Sequence, residues 1–175
     1  EMCIRDRSGT FIVEGSTLTA SALASDSLFG YNVHCAIKTD GGVQCWGSDT
    51  HGQSSPPSGV FTQISSGSYN TCGRQSSGMV QCWGRDDSGQ SSPPSGIFSQ
   101  VSAAMMHTCG IRNNGTAQCW GDFVFGDAVT APGGTFTQVS AGGYHSCAIQ
   151  PNGTAQCWGT DDENQSSPPY NFSAY

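Results

Sequence analysis

Eight of the nine cysteines fall into four pairs with one fixed spacing, and this spacing limits the chemistry they can carry out. Each pair reads Cys-x9-Cys, and its second member opens a Cys-Trp-Gly triplet. The pairs are Cys35 and Cys45, Cys72 and Cys82, Cys109 and Cys119, and Cys147 and Cys157. Structural zinc sites usually bring thiolates two to four residues apart, and redox sites favour Cys-x-x-Cys, so both are weaker interpretations than disulfide formation.

The segment between the last two paired cysteines predicts a β-hairpin that brings them together. Pro151, Asn152 and Gly153 suit a three-residue loop whose last position requires a positive φ, which glycine adopts at little cost. In that register Cys147 lies opposite Cys157, with Cα atoms roughly 4.5 Å apart, close enough for a disulfide. We therefore predict four structural disulfides, with buried reduced thiols as the alternative. The other copies hold glycine at the same loop position, at Gly41, Gly78 and Gly115.

Regular disulfides indicate where the protein works. Cytosolic reductants keep structural thiols open, whereas secreted and periplasmic proteins retain their disulfides. The pairing therefore predicts an extracellular, cell-surface or periplasmic location. Cys3 lies outside the four pairs.

The paired cysteines belong to one unit that is repeated along the chain. From Cys35 to Cys72, Cys109 and Cys147 the steps are 37, 37 and 38 residues, and a phenylalanine opens each following copy. Short runs of β-branched and aromatic residues between Gly, Ser, Asn, Asp and Pro predict strands joined by tight turns. The predicted segments are 1–23 (not part of the repeat), 24–60, 61–97, 98–135, 136–171 and 172–175. The last opens a fifth repeat, which predicts that further repeats of the same chain follow.

One copy of the unit carries a specific resemblance. Residues 136–149 read Phe-Thr-Gln-Val-Ser-Ala-Gly-Gly-Tyr-His-Ser-Cys-Ala-Ile, followed by Asn-Gly-Thr and Cys-Trp-Gly. With its second copy at 61–92, this pattern resembles the regulator of chromosome condensation repeat family over about residues 24–172. The resemblance implies an all-β fold, a β-propeller built of antiparallel blades, usually seven. Four units then imply an incomplete ring of about four blades.

Composition and motifs exclude several classes of function. The net charge is −7, which disfavours the phosphate neutralisation that nucleic-acid binding needs. Lys38 is the only lysine, and no nucleophile-base set, zinc-protease helix or phosphate loop is visible. No stretch is long and apolar enough to span a bilayer. We expect no catalytic residue, no metal site and no cofactor, and neither nucleic-acid binding nor membrane insertion.

Candidate contact residues lie in the loops that follow each tryptophan. The third unit replaces Gly-Gln-Ser-Ser-Pro-Pro with a run containing Phe123, Val124 and Phe125, and exposed aromatic residues are enriched in binding sites. Packing within the array would explain the same run. The other candidates are acids that would form a negative surface for a cationic partner or a calcium ion, or that cap their own turns. They are Asp86, Asp87, Asp161, Asp162 and Glu163.

Two histidines, His107 and His145, precede the first cysteines of their units by two residues, as Asn70 does. This recurrence predicts hydrogen bonding at a strand end rather than metal binding. The family acts by protein contact, so we predict a non-enzymatic recognition or adhesion module that binds an unknown protein or surface ligand. The alternatives are an intracellular guanine-nucleotide exchange or regulatory propeller and a secreted enzyme inhibitor.

Overall fold

The structure, a computed structural model, describes residues 33–121 and 130–168 in full, and the backbone of the strands within residues 4–26. These described parts contain strands and no helix. The strands are β1 (Ile4–Arg5), β2 (Thr10–Val13), β3 (Ser16–Asp26), β4 (Val33–Lys38), β5 (Val43–Gly47), β6 (Phe61–Ser66), β7 (Asn70–Gln75), β8 (Val80–Gly84), β9 (Phe98–Ala103), β10 (His107–Arg112), β11 (Ala117–Gly121), β12 (Gln138–Ala141), β13 (His145–Ile149) and β14 (Ala155–Gly159).

The strands form four antiparallel sheets, one for each copy of the repeat. Unit 2 is β6-β7-β8, unit 3 is β9-β10-β11 and unit 4 is β12-β13-β14. Unit 1 is β3-β4-β5. In the same sheet, β2 pairs with the first residues of β3, and β1 pairs with β2. The fold is therefore all-β, as predicted, and the sheets are stacked as the blades of an incomplete propeller whose ring is not closed. The predicted boundary after residue 23 falls within β3, which runs on to Asp26.

The hairpin between the second and third strands of each unit sets the register. In unit 4, Gln150 N–H donates to the Thr154 carbonyl at 2.9 Å, and Gly153 has a φ of +85°. Gly41, Gly78 and Gly115 have φ values of +83°, +84° and +85°. Because all four turns share this geometry, each first cysteine lies opposite its second cysteine.

Four disulfides follow from this register, with the pairing that the spacing predicts. They are Cys35–Cys45, Cys72–Cys82, Cys109–Cys119 and Cys147–Cys157. Their Cα atoms lie 4.0 to 4.1 Å apart, the close spacing of a non-hydrogen-bonded pair of antiparallel residues. In the chain-entropy account, each closed loop stabilises the folded state by about 3 kcal/mol.

The hydrophobic core lies between units rather than within them. The middle strand of one unit supplies one wall, and the first and third strands of the next unit supply the other. Phe98 and Trp120 of unit 3, for example, cover Cys72 of unit 2, with their ring centroids 5.7 Å apart. Each buried large side chain contributes about 1.5–3 kcal/mol, so neighbouring units stabilise one another. The corresponding cluster between units 3 and 4 contains Cys109, Ile111, Phe136, Val139, Ala148 and Trp158.

Candidate recognition surface

The loops after the tryptophans of units 1, 2 and 4 share one geometry, and we call them the acid loops (residues 48–57, 85–94 and 160–168). In unit 2, one Asp86 carboxylate oxygen accepts from Ser91 N–H at 2.8 Å and the other from the Ser92 hydroxyl at 2.6 Å. The other two loops repeat both bonds at 2.7 Å. They join Asp49 to Ser54 and Ser55, and Asp161 to Ser166 and Ser167.

These bonds make the first aspartate of each loop a structural group. Hydrogen bonds from the Ser167 hydroxyl and from the Ser166 backbone amide stabilise the charged form of Asp161 and hold the pKa of its carboxyl below the ordinary value. Asp86 accepts the same two kinds of bond in its own loop. Both aspartates therefore cap their own turns, whatever else they contact.

In the acid loops of units 1 and 2, a glutamine connects the loop to the following unit. Gln90 is fully buried, and its side-chain oxygen accepts from Ser88 N–H at 2.9 Å. Its backbone carbonyl accepts from the Trp120 indole N–H at 3.1 Å and from the Thr108 hydroxyl at 3.0 Å, both in unit 3. The Gln53 carbonyl accepts the same two bonds from unit 2, each at 3.0 Å, through Trp83 and Thr71. The acid loops of units 1 and 2 are thus held in place by the unit that follows.

The glycine after each tryptophan allows the chain to turn beside this contact. Gly84 has a φ of +100°, and a Cβ there would lie 2.5 Å from the Tyr69 carbonyl oxygen and 3.1 Å from the Gln53 Cα. No other residue fits a backbone approach this close. The Cys-Trp-Gly triplet therefore combines a disulfide, an indole that bonds the preceding unit and a turn into the acid loop.

Among the described acids of these loops, Asp162 and Glu163 carry exposed carboxylates with no ion pair or side-chain hydrogen bond. Asp87, which is also exposed, accepts from the Arg85 guanidinium at 2.7 Å. Among the described acids of these loops, the carboxylates without a partner therefore lie in the acid loop of unit 4. Phe123, Val124 and Phe125 lie outside the described residues.

A second group of side chains in this region, which we call the Tyr69 cluster, was not predicted from the sequence. The Arg85 guanidinium lies over the Tyr69 ring at 5.3 Å, and the exposed His51 ring meets Tyr69 edge-on at 5.4 Å. Arg85 N–H donates to the Tyr69 carbonyl at 2.8 Å, which fixes the two residues relative to each other. Tyrosine and arginine are enriched in binding hot spots, so the cluster is a candidate contact surface.

The residues two positions before the first cysteines join successive units. The Asn70 side-chain amide donates to the Thr108 hydroxyl at 3.1 Å, and His107 Nε2 bonds the Ser146 hydroxyl at 2.8 Å. Each bond links one unit to the next, in agreement with the strand-end hydrogen bonding predicted for this position. No group of three or more potential metal ligands occurs among the described residues.

The first strands of successive units are joined by a ladder of side chains. Gln63 on β6 bonds both backbone groups of Val101 on β9, donating to its carbonyl at 2.8 Å and accepting from its amide at 3.1 Å. Two residues along, the Ser65 hydroxyl accepts from Ala103 N–H at 2.9 Å. Between units 3 and 4, Gln100 accepts from Val139 N–H at 2.7 Å and Ser102 from Ala141 N–H at 3.0 Å. Side chains of one unit thus satisfy the strand edge of the next.

Sequence reasoning missed both glutamine contacts and the Tyr69 cluster. The recurrence of Gln53, Gln90 and Gln165 eight residues after the second cysteine is the signal that could have revealed the first contact. The recurrence of glutamine two residues after the opening phenylalanine could have revealed the ladder. For the Tyr69 cluster no signal exists, because His51, Tyr69 and Arg85 have no shared spacing.

The described residues include no helix of the length and apolarity needed to cross a membrane.

Comparisons with known proteins were made by family, by sequence and by structure. A model of the regulator of chromosome condensation repeat matches residues 29–53, 61–90 and 136–165. None of the curated proteins matches the chain. The CRINKLY WD40 ectodomain from the Arabidopsis thaliana receptor kinase ACR4 is similar, with 31% identity and a TM-score of 0.64 over 73% of this chain and 47% of that one.

Two further solved structures extend this likeness. The ectodomain of the Physcomitrella patens receptor kinase CR4 has 28% identity and a TM-score of 0.68, over 87% of this chain and 44% of that one. Prp20p from Saccharomyces cerevisiae has 16% identity and a TM-score of 0.71, over 85% of this chain and 47% of that one, and shows the fold alone. The chain spans about half the length of these structures. Three matched repeats, and a further unit with the same strands and disulfide, show that the chain is built of regulator of chromosome condensation repeats, and the solved neighbours show that such units are stacked as the blades of a propeller.

Proposed function

We propose that the chain is a non-enzymatic protein-recognition or adhesion module that works outside the cytosol. The observation that carries the proposal is that every unit has a disulfide between its second and third strands. The third strand leads into the acid loop or, in unit 3, into the loop at the same position. Reducing compartments rarely maintain such bonds. Rigid strands that present variable loops are a common arrangement for recognition by protein contact.

The proposed contact surface is the side of the units that bears the acid loops. Asp162 and Glu163 supply unpaired negative charge there, and Asp86, Asp87 and Asp161 add charge that is already bonded within the loops. The net charge of −7 agrees with a cationic partner, because complementary charge raises the rate of encounter. The Tyr69 cluster supplies the aromatic and arginine side chains that usually dominate binding energy. Phe123, Val124 and Phe125 are proposed as further contacts.

Two of the solved structures are ectodomains of plant receptor kinases, and this supports the proposed location. The alternative, an intracellular exchange or regulatory propeller, predicts free thiols. Peptide mapping without reduction, on protein isolated from its native compartment with thiols blocked, separates the two. We expect each Cys-x9-Cys pair to be bonded, whereas four free pairs would overturn the extracytoplasmic proposal.

The contact surface can be tested with charge-matched variants. Asp162→Asn with Glu163→Gln removes two negative charges from the acid loop of unit 4. Met79→Lys with Thr154→Lys changes the net charge by the same amount at exposed hairpin tips, at the opposite end of the third strands. In quantitative capture of surface and secreted proteins, we expect the loop variant, and not the tip variant, to lose specific partners. Equal loss in both variants would show that net charge alone is responsible, and retention in the loop variant would exclude these residues.

A further inference from the structure

Two of the hairpin tips carry a residue pattern that their turns do not require. The tips of units 3 and 4 read Asn114-Gly115-Thr116 and Asn152-Gly153-Thr154, which is the Asn-x-Ser/Thr pattern of N-linked glycosylation sites. The same positions hold Asp-Gly-Gly in unit 1 (40–42) and Ser-Gly-Met in unit 2 (77–79). Asparagine and threonine therefore occur together in two tips and are both absent from the other two. A further copy of the pattern, at 171–173, lies outside the described residues.

The turn itself needs only a hydrogen-bond acceptor at the first of these three positions. In unit 1, Asp40 Oδ1 accepts from the backbone N–H two residues later at 2.9 Å, and in unit 2 the Ser77 hydroxyl accepts the equivalent bond at 3.3 Å. Asn114 and Asn152 accept it at 3.1 and 3.0 Å. Carboxylate, hydroxyl and amide oxygens thus all close this turn. Turn formation accounts for an acceptor, but not for asparagine in particular or for the threonine that follows it.

The asparagine of unit 3 presents its side-chain nitrogen to solvent. Asn114 is exposed, and its Oδ1 accepts from both the backbone amide and the hydroxyl of Thr116. These bonds hold the oxygen toward the turn, and no described residue accepts from Nδ2. Unit 3 packs against unit 2 on one side and unit 4 on the other, so this tip is exposed in a unit that is covered on both sides. Thr135 of unit 4 packs beside Gly115 and leaves the asparagine uncovered.

The same pattern at Asn164-Gln165-Ser166 is explained by the fold. Asn164 has a φ of +59° and occupies the acid-loop position of Gly52 and Gly89, which also have positive φ. Asparagine tolerates that conformation better than most residues. The Ser166 hydroxyl donates to a backbone carbonyl of its own loop at 2.9 Å. Both residues therefore have a role in the acid loop, whereas the threonines at the tips have none that the other tips share.

The two tips lie away from the proposed recognition surface. Strand β11 begins at Ala117, directly after the tip of unit 3, and ends at Gly121, where the loop after the tryptophan begins. A strand of five residues spans roughly 17 Å. In unit 4, β14 separates the tip from the acid loop in the same way. A bulky group on either tip would leave the acid loops free to contact a partner.

We propose that Asn114 and Asn152 are N-glycosylated. The donor is an oligosaccharide carried on a polyprenyl diphosphate. The bond between its anomeric carbon and the diphosphate oxygen breaks, the carbon bonds to the asparagine Nδ2, and Nδ2 loses one proton, so that the diphosphate leaves with the electron pair and no oxidant is needed. This inference rests on the proposed extracytoplasmic location, because the pattern is used as a glycosylation site in secreted proteins.

Peptide mapping of the protein isolated from its native compartment tests the proposal. Release of N-glycans by an amidase in heavy-oxygen water converts each modified asparagine to a labelled aspartate, and we expect the label at Asn114 and Asn152. Unlabelled asparagine at the tips of protein with four bonded disulfides would overturn the glycosylation and leave the location standing. Free thiols together with unlabelled asparagine would overturn both. Label confined to Asn164 would also overturn the assignment to the tips.

Matched variants made in the same cells separate the glycosylation pattern from the turn. Asn114→Asp keeps the acceptor that Asp40 supplies in unit 1, so the variant should fold with its disulfides and lose one of the two glycans from its intact mass. Thr116→Ala should lose the same glycan and Thr116→Ser should retain it, because the pattern requires a hydroxyl at that position. An unchanged carbohydrate mass in Asn114→Asp and Thr116→Ala would overturn the assignment of Asn114.

Discussion

The face of unit 3 that meets unit 4 and the open face of unit 4 are built from the same residue types in different surroundings. On unit 3, Ile111 is 1% exposed and Ser102 accepts from a backbone amide of unit 4. On unit 4, Ile149 is half-buried and Ser140 is exposed. The hairpins of units 3 and 4 have the same register, and each has its disulfide at the same position. The difference arises from the neighbour, so a unit of this array holds only half of a core.

The acid loops differ from the faces between units, because the contacts within a loop do not depend on the neighbouring unit. The loop of unit 4 keeps both hydrogen bonds to Asp161 and the bond to the Gln165 side chain, as the loop of unit 2 does for Asp86 and Gln90. These contacts lie within about seven residues of chain and need no following unit. Local hydrogen bonding therefore forms the loops, and packing between units positions them.

Deleting the disulfide of unit 3 in one variant and that of unit 4 in another tests the comparison with the largest expected effect. Cys109→Ala with Cys119→Ala and Cys147→Ala with Cys157→Ala remove loops of equal length, so each should cost about 3 kcal/mol through the unfolded chain. The unit 3 variant should cost about 1–2 kcal/mol more, because Cys109 is fully buried and its loss leaves a cavity. Urea unfolding, at concentrations that keep the protein monomeric, measures the difference. Equal losses would contradict the comparison.

Truncating the equivalent isoleucines measures how much packing between units contributes to the free energy of unfolding. Ile111→Ala should lower the free energy of unfolding by about 2–5 kcal/mol, the usual range for a fully buried isoleucine. Ile149→Ala should lower it by about 1 kcal/mol or less, because the side chain is already in partial contact with solvent. Chemical denaturation of both variants under one condition measures the gap. A cost for Ile149→Ala as large as that for Ile111→Ala would show that the unit 4 face is covered.

The two serines of the ladder give a smaller contrast. Ser102→Ala leaves the Ala141 amide without its partner and should cost about 1 kcal/mol. Ser140→Ala should change the stability of the monomer by less than about 0.5 kcal/mol, as expected for an exposed position. Amide hydrogen exchange is the sharper measurement, since Ser102→Ala should speed exchange at Ala141. Unchanged exchange at Ala141 would show that the ladder does not hold the units together.

The smallest effect concerns the acid loop of unit 4. The Ser167 hydroxyl is the main reason that the pKa of Asp161 is lowered, so Ser167→Ala should raise that pKa toward its ordinary value. Because the folded-state pKa is depressed, this carboxylate stabilises the folded state at neutral pH, and the contribution is lost as pH falls through the folded-state pKa. Titration by NMR measures the change. Ser140→Ala in the same unit is the control and should leave the pKa of Asp161 unmoved.

Much of the fold could be predicted because the repeat supplies several observations of each position. A glycine at one loop position in four copies indicates a positive φ, and that turn places each first cysteine opposite its second. The candidate site was less accessible. Acids could be assigned to the loops, but the sequence does not distinguish Asp161, whose carboxylate caps its own turn, from Asp162, which is exposed. The Tyr69 cluster depends on three loops meeting, which no local pattern encodes.

The sequence by itself determined the hairpins, the disulfide pairing and the number of units, because turn chemistry and strand alternation act over a few residues. Only the tertiary structure decided which identical side chains are buried. Gln90 is fully buried beside Trp120 and Thr108 of the next unit, which bond its carbonyl, whereas Gln165 at the same loop position is only half-buried because no described unit follows it. Burial depends on the neighbour that a strand meets. Equivalent residues therefore differ in burial according to whether a described unit covers them.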